Sequence, residues 1–170
     1  MLRVIAALVV SLVAATPALA QTAPAGCDSP QDHQFDFWVG KWDVYARAAP
    51  DRMVAHSLIE KLYAGCAVRE NWMPLKGTDG GSFSAWVPAD KVWRQTWVSA
   101  GGFADFKGGL VGPSMIITGV WPQPGHPTQQ TRMTYTPLPD GSVEQSGVTS
   151  DDDGKTWQPS FDFIYRKAAR

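Results

Sequence analysis

The side chains best placed to do chemistry in this chain are a carboxyl group and a few amides set among tryptophans. Glu70 and Trp72 lie two residues apart, as do Gln95 and Trp97, and Ser82, Ser84 and Trp86 repeat the spacing. In an extended strand such spacing puts each set on one face. Glu70 surrounded by Trp72 and Trp97 is a candidate general base, because burial disfavours the carboxylate and raises its pKa toward neutrality. An isomerase or lyase acting on a hydrophobic substrate fits such a group. The same mixture on the inner wall of a barrel describes a ligand cavity, in which rings supply area and a few polar groups supply orientation. Tyr135 and Gln145 flank the Asp140-Gly141 turn and face the same interior if Met133 and Val143 do. The expected ligand-binding set is therefore Glu70, Trp72, Trp86, Gln95, Trp97, Tyr135 and Gln145, and the expected partner is a small hydrophobic or aromatic molecule. A slip of one residue gives the alternative, in which Phe83, Ala85 and Val87 face inward and Trp86 faces out. A structural or inhibitory envelope protein with a filled barrel and no ligand is a separate alternative.

Other chemistries find little support. His33, His56 and His126 are scattered, with no His-x-His or His-x-x-x-His spacing for a metal. No histidine follows His126 to serve as the axial ligand of a haem. Asp151-Asp152-Asp153 lacks the bidentate glutamate and the spacing of a calcium loop. There is no Gly-x-Ser-x-Gly, phosphate loop or dinucleotide fingerprint. Neither a cofactor nor a metal is expected. Fifteen Lys and Arg stand against 16 Asp and Glu, without a basic cluster. That balance argues against nucleic acid and anionic lipid surfaces as partners.

The first residues read as a targeting signal. Arg3 precedes an apolar run over 4–15, and Ala18-Leu19-Ala20 is a small-x-small cleavage site. Residues 1–20 are thus expected to be a signal peptide, 21–34 a flexible leader, and 35–168 a single domain. The mature chain would be periplasmic or extracellular, with no later segment of transmembrane length. The two cysteines, Cys27 and Cys66, would meet an oxidising compartment and pair. Closing a loop of that length stabilises by roughly 3–4 kcal/mol in the chain-entropy model.

The elements that must position these groups are strands. Short aromatic and β-branched runs alternate with turn residues, which gives ten expected strands: 35–46, 55–63, 67–75, 82–87, 92–99, 103–110, 115–121, 131–138, 142–149 and 156–166. All eight tryptophans fall within them. Asp79-Gly80-Gly81, Gly101-Gly102, Gly112-Pro113 and Asp140-Gly141 punctuate the runs. No stretch after residue 20 holds a helical stripe for three turns. Short, even connections favour sequential antiparallel neighbours. Closing the meander removes its two open edges. The expected fold is an all-β, antiparallel up-and-down barrel of about ten strands, with a β-sandwich as the alternative.

Phe35-Asp36-Phe37-Trp38-Val39-Gly40-Lys41-Trp42 opens the domain, and its Gly40-x-Trp42 resembles the Gly-x-Trp motif of lipocalins and related calycin barrels. The resemblance implies that Trp42 packs across the closed end of a barrel. The opening block, Gly65-Cys66 with Glu70-x-Trp72, and Trp93-x-Gln95-x-Trp97-Val98 are similar to blocks that recur in this order in an exported bacterial family described only as a domain of unknown function. So are the Tyr135-x-Pro137-x-Pro139-Asp140-Gly141 turn and the Asp153-Gly154-Lys155-Thr156-Trp157 hairpin. The likeness spans nearly all of 27–166 and implies a calycin-like barrel without assigning catalytic residues. Ser150-x-Asp152-x-Gly154-x-Thr156-Trp157 also matches the Asp-box pattern of sialidase propellers. A single copy in a chain this short reads as a hairpin staple.

Overall fold

A computed structural model describes residues 26–169; the expected signal peptide lies outside them. Ten strands follow one short turn of 3-10 helix, Asp36–Trp38. They are β1 (Gly40–Ala46), β2 (Ala49–Leu62), β3 (Ala67–Pro74), β4 (Gly80–Val87) and β5 (Val92–Ser99). The second half comprises β6 (Gly102–Val111), β7 (Ser114–Val120), β8 (Gln130–Pro137), β9 (Val143–Ser150) and β10 (Gln158–Lys167). Each strand pairs antiparallel with its neighbour in sequence, and β10 returns to pair with β1, from Trp42 opposite Lys167 to Ala46 opposite Phe163. The result is the closed up-and-down barrel of lipocalin-like topology, and the open-edged sandwich is excluded.

Period-two alternation decides which side chains fill it. Trp42 and Val44 of β1 are buried, as are Ala55, Ser57 and Ile59 of β2, Met115 and Ile117 of β7, and Met133 and Tyr135 of β8. Between them Lys41, Arg94, Asp105 and Lys107 face outward and are exposed. The charged side chains share the outer face with exposed apolar ones such as Phe83, Val98 and Phe103. Among the described residues no helix is long and apolar enough to cross a membrane.

The first strand is shorter than the residue pattern suggests. Phe35 to Trp38 do not extend β1; they coil into the 3-10 turn and plug one end of the barrel. Trp38 is completely buried, its ring stacked on Phe35 at 4.9 Å and tilted against Tyr135 at 4.8 Å. Trp42 lies at this closed end and donates its indole N–H to the Trp38 carbonyl at 2.8 Å. Capping the barrel buries far more of Phe35 and Trp38 than an edge extension would, which is why the turn wins over the strand. Trp121 and Trp157 also fall just outside strands, so five of the eight tryptophans lie on them.

The plug is held from outside. Cys27 and Cys66 form a disulfide across 39 residues, with Cα atoms 4.7 Å apart. The Cys27 N–H donates to the Ala64 carbonyl at 3.1 Å, and Lys61 pairs with Asp36 at 2.5 Å. Of the stretch read as a leader, Cys27 to Gln34 forms hydrogen-bonded turns, ending where the Trp93 indole donates to Gln34 at 3.1 Å. At the β9–β10 connection the Asp-box residues make their staple. The Ser150 hydroxyl accepts from the Gly154 amide at 2.9 Å, Asp152 accepts from the Thr156 amide at 2.8 Å, and the Trp157 indole donates to the Gly154 carbonyl at 3.0 Å. These bonds hold the Asp152 carboxyl well below the usual range, near 2, the Thr156 hydroxyl contributing most.

Candidate ligand-binding site

The barrel interior is unevenly filled. Toward the plugged end it is packed by Phe35, Trp38, Trp93 and their neighbours. Beyond them lies a cavity of about 180 Å³. Its rim is aromatic: Trp72 on β3, Trp97 on β5, Trp121 after β7, and Phe161 and Phe163 on β10, all half-buried. Its floor is polar: Glu70 on β3, Gln95 on β5, Tyr135 on β8, Gln145 on β9 and Tyr165 on β10, with Met133 beside them.

Register explains how distant segments meet there. Glu70 pairs with Ile59 on one side and Ser82 on the other, so its side chain points inward between the two strands. Tyr135 pairs with Gln145 across β8 and β9, and Gln145 with Phe163 across β9 and β10. Small residues make room for the rim. Gly147, opposite Phe161, has no side chain because a Cβ there would collide with the Phe161 ring, and Gly80 likewise yields to Trp97.

Glu70 is the one buried acid among these groups, 5 % exposed. Its carboxyl accepts from the Ser57 hydroxyl at 3.0 Å, from Tyr165 at 3.3 Å and, at longer range, from Ser82 at 3.4 Å. Burial pushes its pKa up to about 7, and the three hydroxyls pull the other way without cancelling the desolvation. Tyr165 also donates to the Gln145 carbonyl oxygen at 2.6 Å. A phenol has a single proton, so when Tyr165 gives it to Gln145 a protonated Glu70 can donate to the Tyr165 oxygen. Tyr135 donates to the Gln95 carbonyl oxygen at 3.4 Å, and Gln95 donates to Ser84 at 3.0 Å. Both phenols are raised by burial and stay protonated at ordinary pH. The Trp97 indole N–H is buried and has no partner among the described residues.

Of the seven residues picked out from the sequence, Glu70, Trp72, Gln95, Trp97, Tyr135 and Gln145 line this one cavity. Trp86 does not. It faces inward like Ser82 and Ser84, but it sits opposite Trp93, packed against the core toward the plugged end. Phe83 is on the outer surface, 48 % exposed, so the alternative register is excluded. Trp121, Phe161, Phe163 and Tyr165 also belong to the cavity, beyond the expected set. The alternation Phe161-x-Phe163-x-Tyr165 carries the signal for three of them, and Trp121, one residue past β7, continues the inward phase of Met115 and Ile117.

Among the described residues no three His, Cys, Asp or Glu side chains gather where they could hold a metal. The geometry can enclose a small molecule, hydrogen-bond one end of it and exchange a proton with it through Glu70. Compared with protein-family models and with curated proteins, the chain matches none.

Proposed function

We propose that this protein is an exported binding barrel for a small apolar or aromatic molecule, and that the exported domain-of-unknown-function family is its family. The observation that carries the reading is the division of the cavity into an aromatic rim and a polar floor. An interior meant only for packing would be filled, as it is toward the plug. Rings that line a void lose contacts which a ligand restores. The unpartnered Trp97 N–H adds a donor that a ligand acceptor would satisfy. Native mass spectrometry of protein purified from its own host tests the proposal directly, the expected result being a retained small molecule. In parallel, a hydrophobic fluorescent probe should bind and shift or quench the tryptophan emission. Trp97→Ala and Glu70→Gln should each weaken that binding about tenfold while the barrel stays folded. Unchanged binding in both variants would move the site elsewhere. N-terminal sequencing of the secreted form should begin at Gln21.

A second reading is favoured by one observation, the cavity-lining carboxyl with a pKa near 7. Glu70 would then take a proton from one carbon of a bound substrate and return it at another, as an isomerase does. Exchange of solvent deuterium into candidate ligands, abolished by Glu70→Gln, would distinguish this from binding alone.

A further inference from the structure

We propose that the ligand of this cavity is a small monocation, an amine on an apolar or aromatic body, whose ammonium group sits against the Glu70 carboxylate inside the ring of aromatic side chains. The inference rests on the binding reading above and narrows it to one chemical class. Three observations carry it. Among the described residues Glu70 is the one carboxyl group in the wall, and no Lys, Arg or His lines the cavity with it. Its hydrogen-bond partners are neutral hydroxyls from three different strands, Ser57 on β2, Ser82 on β4 and Tyr165 on β10. The walls above it present indole and phenyl groups, and their faces attract a cation.

Charge then discriminates among ligands of similar shape. An anion would meet a carboxyl group and no cation. A neutral ligand would leave the carboxylate buried and uncompensated, and Glu70 would stay protonated. An ammonium group supplies the missing opposite charge, and its remaining N–H groups face acceptors, since the Tyr135 and Tyr165 oxygens and the Gln145 amide oxygen lie on the same floor. Size limits the body. An apolar cavity of roughly 150 Å³ accepts benzene, so about 180 Å³ suits one ring with a short chain.

The groups facing Glu70 give the pH dependence its sign. They are Ser57, Ser82, Tyr165 and, beyond Tyr165, Gln145 and Tyr135. The charged pairs on neighbouring strands, Arg69 with Glu60 and His56 with Asp43, are partly exposed and lie outside the cavity lining. Glu70 is thus the group whose ionisation sets binding near neutrality. Amine affinity should rise as pH increases through about 7.

Isothermal titration with phenethylamine, phenethyl alcohol and hydrocinnamate, from about pH 5.5 to about pH 8.5, tests this on the full mature protein. The expected result is that the amine binds about tenfold or more tighter than the alcohol at the upper end. That preference should shrink toward acid and narrow to near unity in Glu70→Gln. The wild-type pH profile serves if the variant does not fold. An alcohol that binds as well as the amine at every pH, or a carboxylate that binds best, overturns the amine and leaves the cavity as a binding site. Failure of all three to bind overturns the binding reading as well.

Discussion

At the scale of single residues, Glu70 is where the interior departs from an oily core. Its folded pKa of about 7 lies above its ordinary 4.5, so the folded state holds a proton that the unfolded chain has released. The stability this group contributes is fully present below about pH 4.5. It is lost as pH rises toward 7 and is constant beyond, once both states are ionised. The shift corresponds to something on the order of 3 kcal/mol. Urea unfolding of the wild type and of Glu70→Gln across that window should show the wild type losing stability relative to the variant by about this amount. A constant difference would mean that Glu70 titrates normally. The residue scale is also where the sequence is most informative. The spacing of Glu70 with Trp72 and of Gln95 with Trp97 is enough to put them on inward faces, because alternation is a property of the strand itself. Depth along the barrel is not. Trp86 shares the inward face but pairs with Trp93, and how far along the axis a side chain lies depends on the stagger of ten strands at once.

At the scale of elements, turn chemistry makes most strand boundaries legible. β5 spans Val92–Ser99, the same residues its alternation marks out, and β6 to β9 differ from expectation by a residue or so at their ends. Two stretches are exceptions: β2 starts at Ala49, well before its expected start at 55, and the opening of the domain coils where a strand is expected. Phe35 to Trp42 is aromatic and apolar enough to read as one strand, and only the packing of Trp38 beneath Tyr135 turns its first half into a plug. Tertiary burial overrides local pattern there, which no spacing within the segment reveals. The pairing of Gly147 with Phe161 is a cross-strand device of the same kind, a missing side chain on β9 that lets a ring of β10 lie flat at the cavity rim. Gly147 has no positive φ, so adding a methyl group strains contacts and not the backbone. Gly147→Ala should displace the Phe161 ring and cost about 1–3 kcal/mol, read by urea unfolding and by a changed near-ultraviolet circular dichroism spectrum. Unaltered stability and spectrum would show that the ring has room to spare.

At the scale of the whole molecule, plug and cavity share two side chains. Tyr135 and Tyr165 form part of the cavity floor, and both rings touch Trp38, at 4.8 and 6.0 Å. The packed end of the barrel therefore supports the open end, and the disulfide holds the plug in place from outside. Trp38→Ala tests that division of labour. The void it leaves lies beneath the floor and is bounded by Phe35 and the two tyrosines; the strands that carry the tyrosines close on themselves, so their backbone cannot collapse inward and only side chains can move into the space. The expected cost is about 3–5 kcal/mol. Barrel closure depends on the β1–β10 ladder, not on Trp38, so the far-ultraviolet circular dichroism of the variant should remain that of a β-protein. The Tyr135 ring, freed on its plug side, can tilt away from the cavity and lengthen it. A two-ring hydrophobic probe should then gain affinity relative to a one-ring probe when wild type and variant are titrated side by side. Loss of stability without that change in size preference would show that the plug seals the barrel but does not set the depth of its cavity.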